Sequence, residues 1–185
     1  MEPNIDSTVP GFPVRITIYH AAQDDPKKNT ALRLKRRGFA RIVTKTRFLP
    51  KRAIVLNPFG ETAFSPVDRE RIERFGLAAL DCSWEHAQKV MSKHVKGTSR
   101  CLPVLIAGNS VNFGKLTKLT TAEAIAAALY IAGFKRESEE LLSIFTWGHT
   151  FFELNAMFLD KYTTAKDSAE IVSMQTSFLK NKPDG

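Results

Sequence analysis

The stretch 53-AIVLNPFGETAFSPVDRERIERFGLAALDCS-83 decides the fold. Its first apolar run, 53-AIVLNP-58, reads as a strand and leads into 65-SPVDRERIERFG-76. There Ser65 is a good N-cap, Pro66 takes the first helical position, Asp68 completes a capping-box-like pair and Gly76 ends the helix. A second strand, 77-LAALDCS-83, follows at once. Strand, helix, strand in so short a span predicts a parallel pair, because parallel neighbours need a crossover connection.

The same alternation extends outward. Residues 14-VRITIYH-20 read as a strand, 26-PKKNTALRLKRRG-38 as a helix opened by Pro26 and closed by Gly38, and 39-FARIV-43 as another strand. Beyond Asp81, 84-WEHAQKV-90 predicts a short helix and 101-CLPVLIAG-108 a fifth strand or a buried turn. After Gly114 only helices are predicted. A T-x-x-E box at Thr120 to Glu123 precedes AIAAALYIAG, 137-ESEELLSIFTWG-148 follows, a second box at Thr150 to Glu153 precedes LNAMFLDKY, and Asp167 to Glu170 opens the last helix. The fold class is therefore α/β: a mostly parallel sheet lobe with flanking helices over 1–103, and an all-helical lobe over 104–185.

Composition narrows the function classes. The chain of 185 residues can bury a core as one domain or two small lobes sharing an interface. The first residues, MEPNIDSTVPGFPV, lack a basic segment followed by an apolar one, and the longest apolar stretch, 124-AIAAALYIAGF-134, is too short to span a bilayer; a cytoplasmic protein without a membrane is expected. Two cysteines, Cys82 and Cys101, cannot build a zinc site alone, and the four histidines lack paired metal-ligand spacing, so no metal is expected. Buried thiols are the first reading of the cysteines, a mutual disulfide the second.

The formal charge of +8 is local. Residues 27-KKNTALRLKRRGFARIVTKTRFLPKR-52 hold 11 Lys and Arg and no acid, leaving 16 basic against 19 acidic residues elsewhere. A cationic surface on an otherwise near-neutral protein suits a polyanion, since each cation placed on a phosphate releases condensed counterions. Nucleic acid is the leading partner, against a solvated basic face.

Three stretches carry possible chemistry. In an open parallel sheet ligands sit beyond the carboxyl ends of the strands, which is where 81-DCSW-84 falls; a carboxylate there accepts a proton and a Trp packs a ligand, unless both merely cap and fill. The run 102-LPVLIAGNSVNFGKLTKLTTAEA-124 offers exposed backbone donors and a helix N-terminus, but no phosphate-loop or dinucleotide glycine pattern. The aromatic stretch 147-WGHTFFELN-155 reads as helix packing, with no chemistry for His149.

Together, DPKKNTALRL, VLNPFGETAFSPVD, DCSW, LPVLIAGNSVNFGKLTKLTTAEA and FTWGHTFFELN resemble, in order and spacing, the small-subunit ribosomal RNA aminocarboxypropyltransferase family, from about Val14 to Tyr162. The resemblance implies an S-adenosylmethionine (SAM) enzyme that transfers the 3-amino-3-carboxypropyl group to N3 of a modified pseudouridine in small-subunit rRNA, releasing methylthioadenosine. It also implies a SPOUT-like trefoil knot, the helical lobe completing the SAM site, and rRNA or a pre-ribosomal subunit as partner; classical SPOUT enzymes are often dimers, but a monomer is expected here. An imide nitrogen attacks poorly until its proton leaves, so a carboxylate beside it helps. By matching motifs, Asp81 is the candidate base. Trp84 would wall the cofactor pocket, the peptide groups of Leu80 and Leu102 would hold adenosine, Thr30 would meet the methionine carboxylate, and Thr117 and Thr121 would lie along the cofactor. Lys27, Lys28, Arg33, Arg36, Arg37, Arg41, Lys45 and Arg47 would face rRNA. Many relatives have a small hydroxyl residue and then Gly where Thr30-Ala31 stands, and several have an aromatic in place of Thr117. The rival readings are a knotted SAM-dependent RNA methyltransferase and a non-catalytic rRNA-binding assembly factor.

Overall fold

The computed structural model describes residues 11–21, 29–82, 88–89 and 95–180. Five short strands, β1 (Ile16–His20), β2 (Arg41–Val43), β3 (Ile54–Leu56), β4 (Leu77–Asp81) and β5 (Thr98–Arg100), form one sheet in the order β2-β1-β4-β3-β5, every neighbouring pair parallel. The helices are α1 (Thr30–Arg36), α2 (Arg69–Phe75), α3 (Thr121–Ile131), α4 (Lys135–Ser143), α5 (Gly148–Tyr162) and α6 (Ser168–Lys180). No helix among the described residues is long and apolar enough to cross a membrane.

Alternation along the strands sorts side chains onto two faces. Ile16, Ile18, Ile54, Leu56, Leu77 and Ala79 enter a large core with Leu34, Ile125, Leu129 and Phe151; Tyr19, Val43, Val55 and Ala78 enter a smaller cluster with Leu49 and Ala53. Burial on both faces is what parallel pairing with crossover helices predicts. Helix α3 is the central element: Ala122, Glu123 and Ile125 to Ile131 are buried, leaving only Thr121 and Ala124 partly open, and its alanines let it lie close against β4 and α1. Each fully buried Ile or Leu of this core contributes about 1.5–3 kcal/mol.

The turn from α2 into β4 depends on a glycine. Gly76 has φ +87°, and a Cβ there would come within 2.6 Å of the Arg15 carbonyl oxygen. The turn before α2 is tighter than expected: Pro66–Asp68 is a 3-10 turn in which the Asp68 carboxylate accepts from Ser65 N–H at 3.1 Å and binds Arg100 Nε at 3.0 Å. An ion pair reaching across to β5 thus fixes the helix start.

Two expected elements differ. The fifth strand is Thr98–Arg100, ahead of 101-CLPVLIAG-108, because Pro103 lacks a donor and the segment past it turns away; it pairs only through isolated bridges, Ala63 with Cys101 and Ile106 with Leu116. The Thr150 to Glu153 box does not form. Helix α5 already starts at Gly148, packed on the Leu142 carbonyl with no room for a Cβ, so tertiary approach overrides the local cap signal and Thr150 falls inside the first turn. Helix α4 accordingly begins at Lys135 and stops at Ser143, short of the expected 148. The Thr120 and Asp167 signals do operate: Thr120 and Glu123 form both halves of a capping box, and Asp167 Oδ1 accepts from Glu170 N–H at 2.9 Å. The helix expected over 84–90 lies outside the described residues except for Gln88 and Lys89, which are helical.

Candidate active site at the carboxyl edge of the sheet

His20 and Asp81 end β1 and β4 and are register partners, so their side chains leave the sheet side by side. His20 Nδ1 lies 2.6 Å from Asp81 Oδ2, and each side chain is only 10% exposed. The same Oδ2 accepts from Asn29 Nδ2 at 2.8 Å, while Oδ1 accepts from Thr121 Oγ1 at 2.7 Å. Asn29 is the N-cap of α1, its own Oδ1 accepting from Leu32 N–H at 2.9 Å, and Thr121 is the first residue of α3. Two helix N-termini and two strand ends therefore meet on one carboxylate. Thr30 closes the junction, its Oγ1 accepting from Ala122 N–H at 3.4 Å.

A pocket of about 290 Å³ opens beside this junction. Leu56, Pro58, Ala79, Leu80, Leu102, Pro103 and Leu119 make its walls apolar, and Asn57, Thr117, Thr120 and Thr121 supply polar groups. That mixture, largely apolar with few oriented polar groups, is the chemistry of a small-molecule site. The peptide groups of Leu102 lie past β5 and outside the sheet ladder. Cys101 also lines the pocket; burial pushes its thiol above the ordinary cysteine value, which keeps it protonated and a poor competing nucleophile near neutral pH. Cys82 and Cys101 form no disulfide.

Below the pocket a second carboxylate organises the loop that leads into α3. Glu123, with no exposed surface, accepts from Gly108 N–H at 2.7 Å, Asn109 N–H at 3.0 Å, Asn109 Nδ2 at 2.8 Å, Thr120 N–H at 2.7 Å and Thr120 Oγ1 at 2.9 Å. Gly108 is required here, since a Cβ would stand 2.6 Å from Phe151 N. Thr117, at the pocket wall, has φ +60°, a costly conformation for a β-branched residue.

Of the expected cofactor residues, Leu80, Leu102, Thr117 and Thr121 line the pocket; Thr30 does not, its Oγ1 accepting from the N–H of Ala122, the residue after the lining Thr121. Trp84 lies outside the described residues, as do Lys27 and Lys28. Of the expected RNA-facing residues, Arg36, Arg37, Lys45 and Arg47 are exposed. Arg33 and Arg41 are half-buried: the Arg33 guanidinium lies 5.0 Å from the Phe145 ring centre, and Arg41 donates to the Phe48 carbonyl at 3.2 Å. Lys45 and Arg47 follow β2 and so stand on the same carboxyl edge as Asp81. His20 and Asn29 escape the sequence reading: neither has a motif of its own, and only the register and the cap bring them to Asp81.

The family model for "Ribosome biogenesis protein, C-terminal" matches residues 54–179. The chain is 47% identical over 168 residues to the 16S rRNA aminocarboxypropyltransferase of Methanosarcina acetivorans, spanning 90% of this chain and 95% of that one. It is 43% identical to the protein of that name from Methanocaldococcus jannaschii, over 90% and 96% of the two chains. The structure of the SAM-dependent rRNA:acp-transferase Tsr3 from Vulcanisaeta distributa is similar with a TM-score of 0.80 and 38% identity, across 91% of this chain and 99% of that one. The chain belongs to this family.

Proposed function

We propose that this protein transfers the 3-amino-3-carboxypropyl group of SAM to N3 of a pseudouridine, already methylated or not, in small-subunit rRNA. The observation that carries the reading is the buried carboxylate Asp81, held by His20, Asn29 and Thr121 at the mouth of an apolar pocket, in a chain about 45% identical to proteins named for this reaction. The pocket suits SAM: its apolar walls fit the adenosine and methyl, the Leu80 and Leu102 peptides fit the base edge, and Thr121, with Thr30 bonded to the next residue, would meet the amino acid portion. When bound, SAM supplies a sulfonium whose carboxypropyl carbon is open to attack.

The residues of the chain then divide the work. Among the described residues Oδ2 of Asp81 takes two donors and Oδ1 takes Thr121, and on this reading Oδ1 has an acceptor direction for a proton from the substrate imide. Asp81 is thus the proton acceptor; His20 and Asn29 position it. The apolar walls choose which carbon faces the nucleophile by burying the methyl. Arg36, Arg37, Lys45 and Arg47, with Lys27 and Lys28, meet phosphates and set the register of the RNA.

The finer architecture belongs to the same reading. Residues 1–103 form the α/β lobe and 104–185 the helical lobe, with a trefoil knot where 101–120 returns from β5 to the mouth of β4. The family resemblance supports the knot. A monomer working in the cytoplasm, where an rRNA substrate is met, belongs to the same reading.

The test uses SAM labelled in the carboxypropyl chain or in the methyl, with small-subunit rRNA lacking the modification. Chain label in the RNA is expected. Methyl label alone would make the protein a methyltransferase, and label from neither would leave a binding factor.

A further inference from the structure

Residues 105–117 form a hairpin that projects from the pocket rim. Thr117 N–H donates to the Leu105 carbonyl at 2.9 Å, Ala107 N–H to Lys115 at 2.9 Å and Gly114 N–H to Ala107 at 2.8 Å, with Ile106 and Leu116 bridged antiparallel. Its tip is fixed from within. Asn109, 3% exposed and tied to Glu123, accepts on Oδ1 from Val111 N–H at 3.1 Å and Asn112 N–H at 3.0 Å. Yet this well-bonded tip leaves Phe113 61% and Val111 77% exposed. The protein's own packing gives the Phe113 ring no use.

Its surroundings say what would cover it. Lys115 and Lys118 follow it in sequence and are exposed, and 109-NSVNFGKLTKLTTA-122 contains no acid, which suits a partner that carries negative charge as well as a flat apolar face. An unpaired nucleotide has both. Stacking on an aromatic ring flanked by cations is the usual means of holding single-stranded RNA, and a ring presented on a rigid loop loses little entropy in doing so. Phe113 is four residues from the pocket-lining Thr117, at most about 14 Å of chain, within reach of a neighbour of the reacting base.

We infer that Phe113 is a stacking platform for an unpaired rRNA base flanking the nucleotide that is modified, with Lys115 and Lys118 on the adjoining phosphates. This rests on the rRNA reading above. It assigns the hairpin tip to recognition of the RNA, separate from the SAM pocket at its base.

The experiment compares the full chain with Phe113→Ala, Phe113→Tyr and Phe113→Trp. The probe is an RNA stem-loop carrying the unmodified small-subunit acceptor loop; the readouts are RNA affinity, SAM affinity and transfer of chain label. Phe113→Ala is expected to weaken RNA binding and raise the RNA KM about tenfold, leave SAM affinity unchanged, and be rescued by Phe113→Tyr. Phe113→Trp should show fluorescence quenched by the RNA beyond any change in the parent protein. If the parent transfers label and Phe113→Ala matches it in RNA affinity and KM, the platform is wrong and the proposed function stands. If the parent neither binds nor labels the RNA, the proposed function itself fails and the platform with it. A parent dimer that Phe113→Ala converts to monomer, with RNA binding unchanged, would assign the tip to self-association and overturn the proposal.

Discussion

Asp81 and Glu123 are both buried carboxylates near the start of α3, yet they are held by different kinds of donor. Glu123 takes three of its five bonds from backbone N–H groups, of Gly108, Asn109 and Thr120. Among the described residues, the donors to the Asp81 carboxylate are the side chains of His20, Asn29 and Thr121. Backbone donors cannot swing away without moving the chain, so Glu123 clamps a loop in place. Side-chain donors can re-form around a changed partner, so Asp81 can alter its bonding as a proton moves. On the proposed function, the difference separates a structural carboxylate from the proton acceptor.

The largest effect should come from breaking the clamp. Glu123→Ala strands buried donors at Gly108, Asn109 and Thr120; a loss of about 3 kcal/mol or more, roughly 6–12 °C in Tm, is expected in a thermal melt. A melt within 2 °C of the parent would remove the distinction drawn above. Asp81→Asn should reverse the balance, lowering kcat for chain transfer by about 100-fold or more while costing about 1–2 kcal/mol of stability. His20→Gln, which disturbs only the positioning of Oδ2, should lower kcat about tenfold with SAM affinity nearly unchanged. Equal losses of rate and SAM affinity would instead make His20 part of the binding site.

A third buried polar group sharpens the comparison through pH. Burial raises the Tyr162 hydroxyl well above the ordinary tyrosine value, and the neutral group donates to the Val104 carbonyl at 3.1 Å. The unfolded chain would release this proton near pH 10 while the folded protein keeps it, so stability present below pH 10 is lost as pH rises beyond it. Denaturation measured from pH 8 to 11 should show that decline, and Tyr162→Phe should make it shallower. The smallest effect is expected at Thr117, between the two carboxylates. Thr117→Gly relieves the φ +60° conformation and should change stability by no more than about 1 kcal/mol, visible as a small shift in denaturant midpoint.

Much of the fold was legible. The Ser65 to Gly76 helix between two apolar runs determined a parallel pair, and the Thr120 and Asp167 caps marked the helices they open. Asp81 was singled out through its position after a strand and through family resemblance, and of the residues expected at the cofactor Leu80, Leu102, Thr117 and Thr121 line the pocket. His20 and Asn29 were not. A strand-end histidine and an N-cap asparagine have ordinary local reasons to exist, and nothing local relates either to a residue 61 or 52 positions away. Arg33 shows another long-range contact: its guanidinium lies 5.0 Å from the ring centre of Phe145, a residue far along the chain that no local pattern relates to it.

By itself the sequence determined the alternation of strands and helices, the local basic surface and the acid at the end of β4. These depend on side-chain period, capping and charge, which act over a few neighbouring residues. Only the tertiary structure decided which groups hold that acid, that Glu123 clamps a loop as well as capping a helix, and that Phe113 stays uncovered. Each depends on strand register or on contacts between segments distant in the chain, and neither is written in any short stretch of sequence.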